Sequence, residues 1–222
     1  MTSIARKWVM ALSGLFLCLF LVGHLAGNLM LLKSSSTTLL DFNEYAHFMT
    51  TNPAVQVLRV LTLVSIVAHL VMSIKLTLQN KAARKTAYAY SGSTGNASWA
   101  SKNMAPLGVF LLLFLALHLA SFAIKNITGG IQGIDANGNV DVYTEVITAF
   151  KNPLYVAFYV LSMVALAFHL SHGFKSGFQS LGARHPKYTG LIEKSGMALG
   201  ALIPLGFALI PIVLHFFNQN QA

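Results

Sequence analysis

Four histidines of this 222-residue chain lie in apolar surroundings and share a local signature: His24, His69, His118 and His169 are each followed by leucine. An imidazole in hydrocarbon is costly and is a functional candidate on that ground. It can pack against a hydrogen-bond partner, relay protons, or ligate a metal. Their spacing bears on the choice. Pro53 to His69 and Pro153 to His169 are both sixteen residues, and each proline follows an asparagine, Asn52 or Asn152. Proline is favoured in a first helical turn, so both histidines stand at the same distance from a helix start.

The elements that must carry them are set by composition. The chain is 55% hydrophobic and 9% charged, against roughly 25% charged for a soluble domain. Its formal charge of +9 would fit a nucleic-acid binder or a basic tail, but so apolar a chain is neither. The single cysteine, Cys18, excludes an internal disulfide and a Cys-rich metal or iron–sulfur site. Trp8–Leu32, Asn103–Ile124, Asn152–Phe174 and Ser195 to the end contain no Asp, Glu, Lys or Arg, and Pro53–Ile74 contains only Arg59. About 20 apolar residues span a bilayer. The predicted fold is a single all-α membrane domain over residues 1–222, with helices near 8–32, 53–76, 103–125, 153–175 and 196–217. The first helix is expected to be retained, since its apolar run exceeds a secretory signal and holds His24.

Loop charges predict sidedness. Arg6, Lys7, Lys75, Lys81, Arg84, Lys85, Lys102, Lys175, Arg184, Lys187 and Lys194 fall on one side. Lys33, Lys125 and Lys151 fall on the other, with Asp41, Glu44, Asp135, Asp141 and Glu145. The basic side is cytoplasmic by the positive-inside rule, which places the N-terminus inside.

Helix directions then pair the histidines by depth, at about 1.5 Å of rise per residue. His24 and His118 lie roughly 20–25 Å from the cytoplasmic ends of the outward-running first and third helices. His69 and His169 lie about 9 Å from the cytoplasmic ends of the second and fourth. Paired imidazoles on facing helices are what haem b requires, one on each face of the iron. Zinc or copper would want three or four ligands at one level. The expected centre is a haem-binding bundle of the first four helices, with two haem b groups. No Cys-x-x-Cys-His is present for covalent attachment. A proton-relay transporter is the rival reading, disfavoured because no carboxylate falls within the expected spans.

The sequence also resembles the single-chain, five-helix cytochrome b subunit of succinate dehydrogenase and fumarate reductase, of the two-haem, menaquinone-linked type. The resemblance rests on the four His-Leu pairs, the Asn-Pro helix starts, the opening Arg6–Gly14 segment and the run His169–Gly182. It implies His24 and His118 as ligands of a distal haem, and His69 and His169 of a proximal one. It further implies a bacterial cytoplasmic membrane and flavoprotein and iron–sulfur partners on the cytoplasmic face. Electrons would pass between those partners and menaquinone. Another respiratory cytochrome b anchor fits less well, since those use fewer helices. Some members of the family carry an acidic residue just before the fourth-helix ligand. Here the stretch is Ala165-Leu166-Ala167-Phe168, so no proton path of that kind is expected.

Further candidates carry weaker signals. His172 shares a helix face with His169 and is either a rival ligand, a propionate partner or an interfacial residue. Arg59 is placed to meet an outer haem propionate or to snorkel to headgroups. Glu44 and His47, in a short surface helix, form a candidate quinone pair or are ordinary loop polar groups. Lys75 and Lys175 are either propionate partners or positive-inside anchors. Gly23 and Gly27 flank His24 and would admit either a macrocycle or a neighbouring helix. Tyr88 and Tyr90, with the Ser91–Asn96 stretch, fall in a basic loop expected to meet lipid or a partner rather than nucleic acid.

Overall fold

The computed structural model describes residues 2–83, 99–183 and 185–217. The described residues are 86% helical and contain no strand. Five helices are long and apolar enough to cross a membrane. They are α1 (Ser3–Asn28), continued by a 3₁₀ turn Leu29–Leu32; α3 (Pro53–Ala82); α4 (Met104–His118), continued through Leu119–Ile124 and Lys125–Ile127; α6 (Pro153–Ser180); and α7 (Pro186–Phe217). Two shorter helices, α2 (Thr38–Thr51) and α5 (Val142–Phe150), lie between them in sequence. Arg84, Lys85, Tyr88, Tyr90, the Ser91–Asn96 stretch and Arg184 fall outside the described residues.

The repeated Asn-Pro starts are helix caps. Asn52 Oδ1 accepts from the amides of Ala54 and Val55 at 3.0 and 3.3 Å. Asn152 Oδ1 accepts from those of Leu154 and Tyr155 at 2.9 and 3.4 Å. Each cap satisfies two amides that lack an intrahelical acceptor, and the proline removes a third donor. α6 ends at Gly182, whose φ of +83° allows Ala183 N to bond Phe178 O at 3.0 Å and Gly182 N to bond Gln179 O at 3.2 Å. Those two bonds close a Schellman motif.

The helices overrun their apolar runs. α1 starts at Ser3 rather than near 8, α3 reaches Ala82 rather than 76, α6 reaches Ser180 rather than 175, and α7 starts at Pro186 rather than 196. Hydropathy marks what hydrocarbon tolerates, whereas a helix continues into water until a cap ends it. Two consequences follow. Glu193 lies within α7 and pairs with Lys175 of α6 at 2.6 Å. The third span is also not a plain helix, since it passes into a π-helical turn, Leu119–Ile124, directly after His118.

Packing is densest at the end of the bundle where α1 finishes and α3 and α6 begin. Here α2 and α5 fold over the spans, joining Leu31, Phe42, Tyr143, Val146, Ile147, Phe150, Val156, Tyr159, Ile210 and Leu214 in one buried cluster. We call this the cap end. Asn43 is fully buried and ties the two short helices together. Its amide donates to Asp141 Oδ1 at 3.0 Å, and its Oδ1 accepts from Tyr143 N at 2.8 Å. His215 of α7 donates from Nδ1 to Phe150 O at 2.9 Å, and Lys125 donates to Glu145. α7 is held to α6 by close approach: Gly196 lies against Phe174, and Gly200 against Ser171 and the carbonyl of Ala167. By contrast, Val57, Val60, Val64 and Val67 of α3 stay exposed in the chain, as a lipid-facing surface does.

Asn43→Ala strands the buried Tyr143 amide and leaves the Asp141 carboxylate with the Thr144 amide as its remaining partner. A loss of about 2 kcal/mol is expected, read as a lower midpoint of thermal unfolding and faster exchange of the Tyr143 amide. A pH effect is expected in the adjoining turn. Desolvation raises the Asp135 carboxyl, but the amides of Asn139 and Asn137, both bonded to Oδ1 at 2.9 Å, outweigh it and leave it below the usual carboxylate range. A depressed folded pKa gives stabilisation that is complete above the unfolded value of about 3.9. It is lost as pH falls through the folded value. Exchange at Asn137 and Asn139, corrected for the intrinsic rate, should therefore be flat from neutral pH to about pH 4 and rise only below it.

Candidate functional site

The four spans that carry the histidines bring them together as two facing pairs. His24 of α1 and His118 of α4 have ring centres 5.8 Å apart, with ring planes at 83°. His69 of α3 and His169 of α6 have ring centres 6.1 Å apart, with planes at 65°. Helix α1 packs along α3 and α6, and α4 packs along α6. The helices that share a histidine pair, α1 with α4 and α3 with α6, are not among the closely packed neighbours. Each pair therefore bridges a gap between helices that do not otherwise pack tightly.

Two imidazoles bound to one metal from opposite sides, at about 2.0–2.1 Å per metal–nitrogen bond, place their ring centres roughly 6.4 Å apart. The two pairs, at 5.8 and 6.1 Å, lie a few tenths of an ångström inside that separation. Among the described residues, no three of His, Cys, Asp and Glu converge, so the donor set is two nitrogens per level. That suits a metal whose other ligands arrive with it, as in a porphyrin, better than a bare ion.

The pair nearer the cap end is lined by aromatic rings. Phe20 stacks on His24 at 5.3 Å and 15°, and Phe114 stacks on His118 at 5.7 Å and 21°. Each phenylalanine is four residues before its histidine, one helical turn earlier on the same face. Phe207 of α7 approaches His24 at 5.6 Å, and Phe122, in the π turn, approaches His118 at 5.6 Å. The other pair has a barer setting. A Cβ on Gly14 would lie 3.1 Å from His69 Cε1 and 3.3 Å from its Nδ1, so the ring rests on glycine backbone.

The Nδ1 neighbours bear on which nitrogen is open to a metal. Ser13 Oγ donates its one hydrogen to Val9 O at 2.7 Å. Toward His69 Nδ1, 3.4 Å away, it then offers only a lone pair, in a contact too long to dictate the tautomer. His118 Nδ1 lies 3.2 Å from the hydroxyl of Tyr159, which lies 3.0 Å from that of Tyr155. Asn28 Nδ2 donates to His24 O at 2.8 Å and lies 3.4 Å from His24 Nδ1. At that distance the ring contact is marginal and dictates no tautomer. His169 Nδ1 is buried without a partner, an unmet hydrogen-bonding demand inside the bundle.

The remaining candidates separate. It is His169 that faces His69, while His172 is half-buried one turn further along α6. Arg59, Glu44 and His47 are exposed. His47 lines a small cavity of about 30 Å³ with Ala46, Thr50, Asn126, Val140 and Val142, and Glu44 is not part of it. Lys175 is engaged by Glu193, as an anchor at the helix end would be. Gly27 serves packing, since a Cβ there would collide with the Tyr45 hydroxyl of α2; Gly23 faces open space.

Three contributors were missed from sequence, namely Tyr159, the Phe20/Phe114 repeat and Asn28. The Phe-x-x-x-His spacing on two spans was a usable signal, and so was Tyr155-x-x-x-Tyr159 in an apolar helix. No family model, curated protein or solved structure matches the chain, so its function is argued from the two histidine pairs.

Proposed function

We propose that the chain is a di-haem b membrane cytochrome that relays electrons, and that it anchors a succinate dehydrogenase or fumarate reductase complex. The single observation that carries the haem assignment is geometric: two histidine pairs, 5.8 and 6.1 Å between ring centres, each on helices that leave a gap. His24 and His118 would hold one haem at the cap end, and His69 and His169 the other. Their supports, Ser13 at His69 and Tyr159 at His118, are the partners that an axial histidine needs on its second nitrogen. The Nδ1 of His169 is buried without a partner, and that of His24 has only the marginal contact to Asn28.

Haem bound in this way supplies a one-electron carrier whose two axial positions are both taken by imidazole. The residues of the chain do the rest. The histidines fix the depth of each centre, the stacked phenylalanines hold the cap-end rings in plane and exclude water, and Gly14 gives His69 its space. In this reading the basic ends of α3, α6 and α7 face the bacterial cytoplasm, with the N-terminus on that side and the cap end outside. The flavoprotein and iron–sulfur subunits dock on the basic face, and menaquinone exchanges electrons with the relay. His47 remains a quinone candidate on the strength of its small cavity. Arg59, exposed on α3, is assigned to headgroup contact.

Purified protein reduced with dithionite should show a b-type α band and two haems per chain. His24→Ala and His69→Ala should each lose one haem, and a different one. One haem or none in the wild-type protein, or no loss in either variant, overturns the assignment. Gly14→Val drives a branched side chain into the His69 ring and should remove the haem that His69→Ala removes, leaving the other in place. Co-purification of a flavoprotein and an iron–sulfur protein with succinate:quinone activity tests the anchoring role separately.

A further inference from the structure

We infer that Tyr159 is a positioning residue for His118, supported by Tyr155, and that the two phenols fix the proton of that imidazole on Nδ1. The inference rests on the haem reading above and extends it to residues outside the ligand set. Tyr159 is buried, at 6% exposure, and its ring is clamped edge-on by Phe114 at 4.9 Å and 77° and by Phe150 at 5.1 Å and 84°. The Tyr155 ring lies over it at 4.7 Å. A phenol so confined has little freedom to turn away. Its hydroxyl stands 3.2 Å from His118 Nδ1 and 3.0 Å from the Tyr155 hydroxyl.

Only one direction of this chain suits a ligand. If Tyr159 donated to Nδ1, the ring proton would sit on Nε2 and close that nitrogen to a metal. With His118 donating from Nδ1, Tyr159 accepts and passes its own hydrogen to Tyr155 Oη, which is half-buried near the start of α6. The His118 Nδ1–H and the Tyr159 hydroxyl then each have an acceptor. At His69 the corresponding contact, to Ser13, is longer at 3.4 Å, so the Tyr159 bond is the better formed of the two. A hydrogen bond from Nδ1–H makes the imidazole a stronger electron donor through Nε2. Stronger donation favours the oxidised iron and lowers its potential. Tyr155, itself accepting from Tyr159, enhances that effect through the chain.

The test uses the whole protein, purified with its haem, in wild-type, Tyr159→Phe and Tyr155→Phe forms. Redox titration should show both haems retained in Tyr159→Phe, with the haem that depends on His24 shifted upward. The expected change is about tenfold in its oxidised-to-reduced equilibrium, equivalent to 59 mV for a one-electron couple, while the other haem stays put. Tyr155→Phe, which removes a more peripheral group, should move the same haem in the same direction by less. Unchanged potentials in both variants overturn the inference, as does an equal shift of both haems, the mark of a general loosening.

A second readout does not require haem. With haem bound, iron on Nε2 would hold the His118 proton on Nδ1 in either form, so nitrogen-15 histidine spectra are read on protein stripped of haem: they should place the His118 proton on Nδ1 in wild type and lose that preference in Tyr159→Phe. If the wild-type protein carries no haem, the proposed function falls and this spectrum alone decides. A Tyr159-dependent Nδ1 proton supports the positioning role; an Nε2 proton in wild type, or no dependence on Tyr159, removes it.

Discussion

Hydrocarbon offers no water to a buried imidazole, and this constraint organises the structure. A polar group at that depth has to be satisfied by the protein or by something the protein holds. Ser13, Asn28, Tyr155 and Tyr159 all lie at or one contact removed from a histidine ring nitrogen, whereas Thr62, Ser162 and Ser171 return their hydroxyls to backbone carbonyls of their own helices. His169 is the exception that shows the rule, since its Nδ1 has no partner in a bundle that supplies partners elsewhere.

The same constraint explains the uneven packing. Tight burial is concentrated at the cap end, where α2 and α5 close over the spans and Asn43 locks them together. Along the spans, the helices that share a histidine pair are held apart by the width of two imidazoles instead of interlocking side chains. Within a bilayer, apolar surfaces gain nothing by leaving lipid for one another, so close packing is driven by small residues and shape. Gly196 and Gly200 supply it between α6 and α7; no such stripe draws α1 to α4. Where helices are bridged by paired rings instead of close packing, rigidity has to come from elsewhere, and the cap provides it.

Much of this was legible in the chain itself. Charge-free runs located the five spans because ionised groups are excluded from hydrocarbon, and equal counts from Pro53 and Pro153 set His69 against His169. What was not legible depended on rotation and on aqueous overhangs. The Tyr155-x-x-x-Tyr159 spacing places two phenols on one face of an apolar helix without saying what that face meets. The Tyr159 contact with His118 exists because α6 turns that face toward α4, which no local pattern records. Glu193 lies outside the fifth helix expected near 196–217. A helix has no reason to stop where hydrophobicity stops, and α7 in fact carries Glu193 to Lys175. The π turn after His118 was hidden for a related reason, since Leu119–Ile124 has ordinary helical composition and the extra residue per turn answers to packing.

Register is the quantity that specifies the pairs. Each residue advances a helix by about 1.5 Å and turns it by about 100°. An inserted residue between Pro53 and His69 would therefore carry the ring off the face that meets α6, long before it altered the depth noticeably. The Asn-Pro caps fix where α3 and α6 begin, and thereby fix rotation as well as height. At the cap-end pair there is no such shared start, because α1 and α4 begin at the opposite end of the bundle and reach their histidines over different lengths of chain. Rotation there has to be held locally. Phe20 and Phe114 each stack on their histidine from one turn away, and Tyr159 grips His118 from a third helix. The denser shell around His24 and His118 is thus the counterpart of a missing common start, whereas His69 and His169 inherit their alignment from two identical caps and manage with one serine and a bare glycine.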